Sequence, residues 1–282
     1  MKLTILGSGS PEAYARRASS GYLLEAGSDT ILFDCGGGVF DNLLRSGRKP
    51  TDISHIFFSH LHSDHMMDYA RLIHAAWDAG GGPVSVFGPP PIASITDGYF
   101  GPDGVLSHDL RARTEHPASQ NVWRARGGSL PRPWPAPIIT EIEPGFSFDG
   151  DGWRLESCEV PHVQPFLSCL AFSVKSQSRH FVYSGDAGAS EPLEALAKGA
   201  DFLLHWCYRL DDEPPIPASS TLSPSPSDIA RMAERIGVGR LLITHFRIHM
   251  DEEAKIETAR AALRKLFSGQ AGIAEDLEVF EL

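Results

Sequence analysis

Residues 59–65 read SHLHSDH, directly behind the apolar run Ile56-Phe57-Phe58. Four of these seven side chains, His60, His62, Asp64 and His65, can ligate a metal. A folded chain seldom crowds so many polar groups behind a buried strand without engaging them. In an extended segment, side chains two apart point the same way, so His60 and His62 can grip one cation. Asp64 and His65 come next, where the chain turns toward a helix, and are aimed to serve a second cation. Each cation needs further ligands, so distant parts of the chain must converge here.

Three isolated candidates lie at strand ends or turns. His162 follows Glu159-Val160-Pro161. Asp186 sits in YSGDAG, where Gly185 and Gly188 give the backbone freedom to expose a carboxylate. His245 ends the apolar strand LLITH and is preferred to His249 for that reason. Imidazole and carboxylate donors suit zinc, and also manganese or iron. A carboxylate can bridge two cations through its two oxygens, the role assigned to Asp186. His74, His108 and His116 each stand as single histidines and read as ordinary surface or core residues.

The pattern around these residues predicts early strands at 3–6, 21–25 and 30–33 and a helix reaching about residue 45. The segment HIFFSH reads as a strand covered on both faces. A helix is expected over 64–77, with Met67, Ala70, Leu72, Ile73 and Trp77 inward and Asp64 near its start. Further strands are expected at 84–88, 138–142, 153–160, 170–174, 180–183, 202–205 and 241–244. Helices are expected at 191–198, 228–236 and 252–267. Strands and helices mix in two broadly similar halves, which predicts an α/β sandwich with sheets packed between helices. The expected organisation is one domain over 1–282, with an irregular insertion at about 89–137. That insertion is rich in Pro, Gly and Arg, with Tyr99, Phe100, Trp123 and Trp134 interspersed. A stretch of this length serves as a lid, a binding loop or a contact surface.

The formal charge of −11 repels a phosphate backbone. Arg111, Arg113, Arg124, Arg126 and Arg132 are scattered rather than blocked, and read as a solvated loop. A nucleic-acid partner is therefore not expected. Cys35, Cys158, Cys169 and Cys207 form no C-x-x-C pair and fit buried, reduced thiols in a cytoplasmic protein. The opening MKLTILGSGSP reads as a first strand, and no apolar run approaches membrane-spanning length, so no membrane association is expected.

The H-x-H-x-D-H cluster, with His162, Asp186 and His245 downstream, resembles the metallo-β-lactamase superfamily. The stretches LGSGSP, LFDCGGG and SGDAG…GADFLLH are similar to the branch holding ribonuclease Z and arylsulfatase-like hydrolases. The resemblance implies an αββα sandwich of two mixed sheets flanked by helices, with a dinuclear centre at one edge. His60, His62 and His162 would hold the first ion; Asp64, His65 and His245 the second; Asp186 would bridge. Two divalent ions, zinc foremost, would make a hydroxide nucleophile from the water between them, which Asp64 could orient. A homodimer is a further expectation from the family.

The chain departs from ribonuclease Z at two places. Trp206 stands where that family has a Glu after the strand-end His, and ASSTLSPSPSD has no His, leaving Ser219 or Ser223 in its place. The pair missing here relays a proton to the leaving group in that family. Trp206 would instead wall a substrate pocket, and Tyr208 or His205 would donate a proton. Leaving groups needing little help are then favoured. The expected substrate is a small-molecule ester, lactone or cyclic amide. The alternative is a phosphodiester, either at the tRNA 3′ end as in ribonuclease Z or in a small cyclic phosphodiester.

Overall fold

The structure, a computed structural model, describes residues 1–12, 14–216 and 222–282. Each half of the chain builds one seven-stranded mixed sheet. The first contains β1 (Lys2–Gly7), β2 (Gly21–Ala26), β3 (Asp29–Phe33), β4 (His55–Phe57), β5 (Ser85–Gly88) and β6 (Ile138–Glu141). The second contains β7 (Ser147–Asp149), β8 (Trp153–Glu159), β9 (Leu170–Ser176), β10 (His180–Tyr183), β11 (Phe202–Trp206), β12 (Arg240–Thr244) and β13 (Gln270–Ile273). The last strand, β14 (Val279–Glu281), returns to the first sheet beside β1. In each sheet the early strands pair antiparallel and the later ones parallel: β3 through β6 in one, β10 through β13 in the other.

Strand alternation sorts the apolar side chains into layers. Leu3, Ile5, Tyr22, Leu24, Ile31, Phe33 and Phe57 face Leu155, Phe172, Phe181, Phe202 and Leu204 between the sheets. Leu6, Leu23, Leu32, Ile56 and Phe58 point outward, beneath α1 (Val39–Arg45), α2 (Tyr69–Asp78) and α3 (Ile92–Phe100). On the far side Leu203, Leu241 and Ile243 lie under α6 (Glu191–Ala197), α7 (Pro226–Ile236) and α8 (Glu253–Leu266). The layers are helix, sheet, sheet, helix: the expected αββα sandwich.

Two expectations change. Within 89–137, residues 126–137 are irregular as expected, but residues 92–125 are largely helical. They carry α3, then α4 (Ser107–Glu115) and α5 (Pro117–Ala125); Ile92 and Phe100 anchor α3, and Leu110 anchors α4, to the outer core of the first sheet. Three of the scattered arginines, Arg113, Arg126 and Arg132, converge on Asp78 at 3.3, 3.2 and 2.9 Å. The Arg132 guanidinium also lies 3.9 Å from the Trp77 ring centroid and 4.4 Å from that of Trp123. These cations are therefore committed internally. The second change concerns α2, which starts at Tyr69 rather than at residue 64. Ser63–His65 form a single tight turn that aims Asp64 and His65 inward and leaves Met67 exposed.

Candidate metal centre

Five strands send their carboxyl ends to one edge of the sandwich, where open α/β sheets generally hold their ligands. β4 leads to His60, His62, Asp64 and His65; β8 to His162; β10 to Asp186; β11 to Trp206 and Tyr208; β12 to His245. Two residues reach their places through left-handed backbone. Gly185 has φ +57, and a Cβ there would meet the Leu170 carbonyl oxygen at 2.6 Å, so this turn before Asp186 requires glycine. His245 adopts φ +69 without being glycine, an uncommon conformation that turns its ring back toward the cluster.

The ligand atoms fall into three overlapping groups: His60, His62 and His162; His60, His65 and Asp186; and Asp64, His65 and His245. His62 Nδ1 lies 3.0 Å from His60 Nε2 and 3.3 Å from His162 Nε2. His245 Nε2 lies 3.2 Å from both Asp64 Oδ2 and Asp186 Oδ2. His65 Nε2 lies 3.5 Å from Asp64 Oδ2 and 3.4 Å from Asp186 Oδ1. Asp186 thus presents one oxygen toward His65 and the other toward His245, with His162 at 3.9 Å from the latter.

These side chains fit divalent cations by their own chemistry. Burial holds His60 well below the ordinary imidazole range and His162 at about 4, so both rings are neutral donors. Neutral nitrogens facing each other at 3.0–3.3 Å do not attract one another without a cation or proton between them. A tetrahedral ion with nitrogen bonds of about 2.0–2.1 Å sets its ligand atoms about 3.3 Å apart. Burial opposes charge on Asp186, but His245 and His65 outweigh it and hold the carboxyl well below its usual range. Burial also opposes charge on His65, yet Asp186 and Asp34 raise it well above the usual value. Its Nε2 is buried without a hydrogen-bond partner. A buried, electron-rich cluster with an orphaned imidazole nitrogen matches a cation's requirements.

Asp34 was not singled out from sequence, yet it organises the cluster from behind. Its Oδ2 accepts from His65 Nδ1 at 2.8 Å, from the Tyr183 hydroxyl at 2.7 Å and from Ser59 Oγ at 2.7 Å, while Oδ1 accepts from the Ser59 N–H at 2.7 Å. Ser59 Oγ also contacts His60 Nδ1 at 3.0 Å. In the neutral ring that a bound cation would require, the bond at His65 Nδ1 would keep the proton away from the cluster and leave the Nε2 lone pair facing it. The available signal was the LFDCGGG stretch, in which an acid interrupts a buried strand end. Gly36, in the same stretch, passes so close to Asp64 that a Cβ would meet its carbonyl oxygen at 2.0 Å.

A cleft of about 310 Å³ opens over the cluster, lined by His62, Asp64, His162, Asp186 and His245 together with Trp206, Tyr208, Ser10, Pro11, Glu12 and Arg247. Trp206 packs edge-on against His162 and His245, with ring centroids 5.3 and 6.0 Å away. Arg247 lies over the Tyr208 ring at 5.4 Å and reaches Glu12 at 3.4 Å. Glu12 and Arg247 were missed because nothing in their local sequence marks them. His205 corrects the expectation of a second proton donor. Alternation along β11 turns it to the face opposite Trp206, where it is buried beside α6 and α7 and bonded to the Trp206 carbonyl at 2.7 Å. Ser219 lies outside the described residues. Ser223 is buried, and its carbonyl accepts from Arg209 Nε at 3.0 Å.

The sequence pattern of the Metallo-beta-lactamase superfamily matches residues 14–245. Ribonuclease Z of Mycobacterium bovis (strain BCG / Pasteur 1173P2) is 29% identical over 292 residues, covering 100% of this chain and 98% of that protein. Among solved structures, the metallo-beta-lactamase fold protein YhfI from Bacillus subtilis superposes with TM-score 0.75 at 20% identity, covering 99% of each chain. Human tRNase Z, short form, superposes with TM-score 0.70 at 20% identity, covering 100% of this chain and 99% of that one. The end-to-end similarity to ribonuclease Z overturns the expectation of a small-molecule ester, lactone or cyclic amide substrate. It equally overturns the expectation that nucleic acid is no partner. The physical error lay in reading total charge as local potential: a divalent cation bound among these side chains would invert the local electrostatics of an acidic protein.

Proposed function

Because this chain belongs to the Metallo-beta-lactamase superfamily and is a metal-dependent hydrolase, we propose that it is a phosphodiesterase acting on RNA, processing tRNA 3′ ends as ribonuclease Z does. The observation carrying this reading is the 29% identity to a ribonuclease Z over the whole of both chains. Ligands drawn from residues 60 to 245 support reading 1–282 as one functional domain. Unpaired thiols at all four cysteines agree with a cytoplasmic setting.

In this reading His60, His62 and His162 would hold one divalent ion and Asp64, His65 and His245 a second, with Asp186 offering a carboxylate oxygen to each, and zinc is the first choice for such donors. When bound, such ions supply Lewis acidity: they acidify water and take up charge on phosphoryl oxygens. The chain's own groups do the rest. Asp34 and Ser59 fix the rings of His65 and His60. Asp64 orients the attacking water. Arg247 faces the same cleft as the cluster and supplies a fixed positive charge for a non-bridging phosphate oxygen. Trp206 excludes water on one side. Tyr208, the hydroxyl-bearing ring beside Trp206 at 5.4 Å, donates a proton to the departing ribose oxygen.

The test is cleavage of a precursor tRNA with a 3′ trailer beside hydrolysis of bis-p-nitrophenyl phosphate, p-nitrophenyl acetate and a lactone panel, each with and without chelator. Trailer release that chelator abolishes is the expected result; hydrolysis of acetate or lactone alone would sink the proposal. Tyr208→Phe is expected to slow trailer release by about 100-fold. It should slow bis-p-nitrophenyl phosphate far less, since p-nitrophenolate leaves without a proton.

A further inference from the structure

Phe166 is the most exposed large apolar side chain among the described residues, at 89%. It stands four residues past the candidate ligand His162, on a turn that is pinned rather than loose. The Phe166 N–H bonds the Val163 carbonyl at 3.1 Å, which keeps its Cα within about 7 Å of that of Val163. The Gln164 side chain clamps the turn from beneath: its amide donates to the Val160 carbonyl at 2.7 Å and its Oε1 accepts from the His162 N–H at 2.8 Å. Val163 and Leu167 pack onto the core under the second sheet. The ring of Phe166 is left outside, beside exposed Gln164 and Pro165.

Two more exposed apolar side chains follow candidate ligands in the same way. Met67 is 63% exposed two residues past His65, and Ile248 is 46% exposed three residues past His245. The Ile248 N–H is held at 2.7 Å by Glu12, a residue lining the cleft. The loops that carry the cleft's candidate ligands thus also carry three exposed apolar side chains, together called the lip.

We propose that this lip receives the unpaired nucleobases flanking the scissile phosphodiester, with the Phe166 ring as the principal stacking face. The proposal rests on the reading of the site as an RNA phosphodiesterase. A phosphodiester group held at the cluster puts its neighbouring bases at the lip, and an aromatic ring accepts the π-face of any base. Phe166 is a positioning residue in this scheme and touches no reacting atom.

The experiment compares the wild-type protein with Phe166→Ala and Phe166→Trp, both loaded with metal, on RNA with a single-stranded 3′ tail and on bis-p-nitrophenyl phosphate. Phe166→Ala is expected to raise KM for RNA by about 5- to 150-fold, with kcat changed by less than about twofold. Phe166→Trp should restore KM. A 2-aminopurine base beside the cleaved bond should be quenched on binding wild-type and Trp proteins but not the Ala variant. A wild-type KM and wild-type quenching in Phe166→Ala would overturn the inference while leaving RNA cleavage intact. An equal loss on RNA and on bis-p-nitrophenyl phosphate would also overturn it, by making Phe166 a support for the site. A wild-type protein that hydrolyses bis-p-nitrophenyl phosphate yet neither binds nor cleaves RNA would remove both the inference and the proposed function.

Discussion

Asp34 touches no substrate-facing atom, yet four donors end on its carboxylate: the Ser59 N–H, the Ser59 hydroxyl, His65 Nδ1 and the Tyr183 hydroxyl. Burial, followed by Asp34's own charge, pushes the Tyr183 hydroxyl far up, so that group stays a donor. Asp34→Ala would leave His65 free to take the wrong tautomer and to rotate. Partners in this position typically contribute 10- to 100-fold to metal affinity. A competition titration with a chromophoric chelator should show Asp34→Ala binding zinc about 10- to 100-fold more weakly. An unchanged affinity would mean that packing alone orients His65.

Helix α7 shows how a local sequence signal reaches the site. Ser225 caps it by accepting from the Asp228 N–H, and the Asp228 carboxylate returns a bond to the Ser225 N–H at 3.1 Å. Pro226 occupies the first turn, and Gly237 closes the helix in left-handed conformation at φ +74. The helix packs on β12, whose end carries His245. Ser225→Ala removes the cap and should cost about 1 kcal/mol. In thermal melts that appears as a drop of about 2–4 °C. Metal affinity should stay at the wild-type value, because the cap does not touch the cluster; a parallel loss would show that α7 positions His245.

For the molecule as a whole, His205 sets an acid limit. Burial lowers its pKa to about 4, while in the unfolded chain it returns to about 6.5. Between those values the unfolded chain binds a proton there and the folded chain does not, so stability falls as pH drops from about 6.5 to about 4 and then levels. The full contribution is on the order of 3 kcal/mol. Denaturant titrations from pH 7 to 4 should give a shallower decline for His205→Asn than for the wild-type protein. Parallel curves would show that His205 is not the group responsible. The same alternation that buries His205 takes it out of the chemistry.

Local order was readable wherever one short segment carries its own physical reason. Alternating apolar residues set the strands, and the tight spacing of His60, His62, Asp64 and His65 with the strand-end positions of His162, Asp186 and His245 marked side chains that the fold brings together. Side chains two apart in extended backbone must share a face, so these signals need no knowledge of the rest of the chain. The short edge strands β7, β13 and β14 escaped notice because pairing with a neighbour makes them strands, not their three or four residues. Asp34, Glu12 and Arg247 reach the cleft region by meeting groups far away in sequence, and Phe166 is exposed because it is denied such contact. Net charge misled for the same reason: a chain's total is additive over its residues, whereas the potential in a cleft depends on where folding puts them.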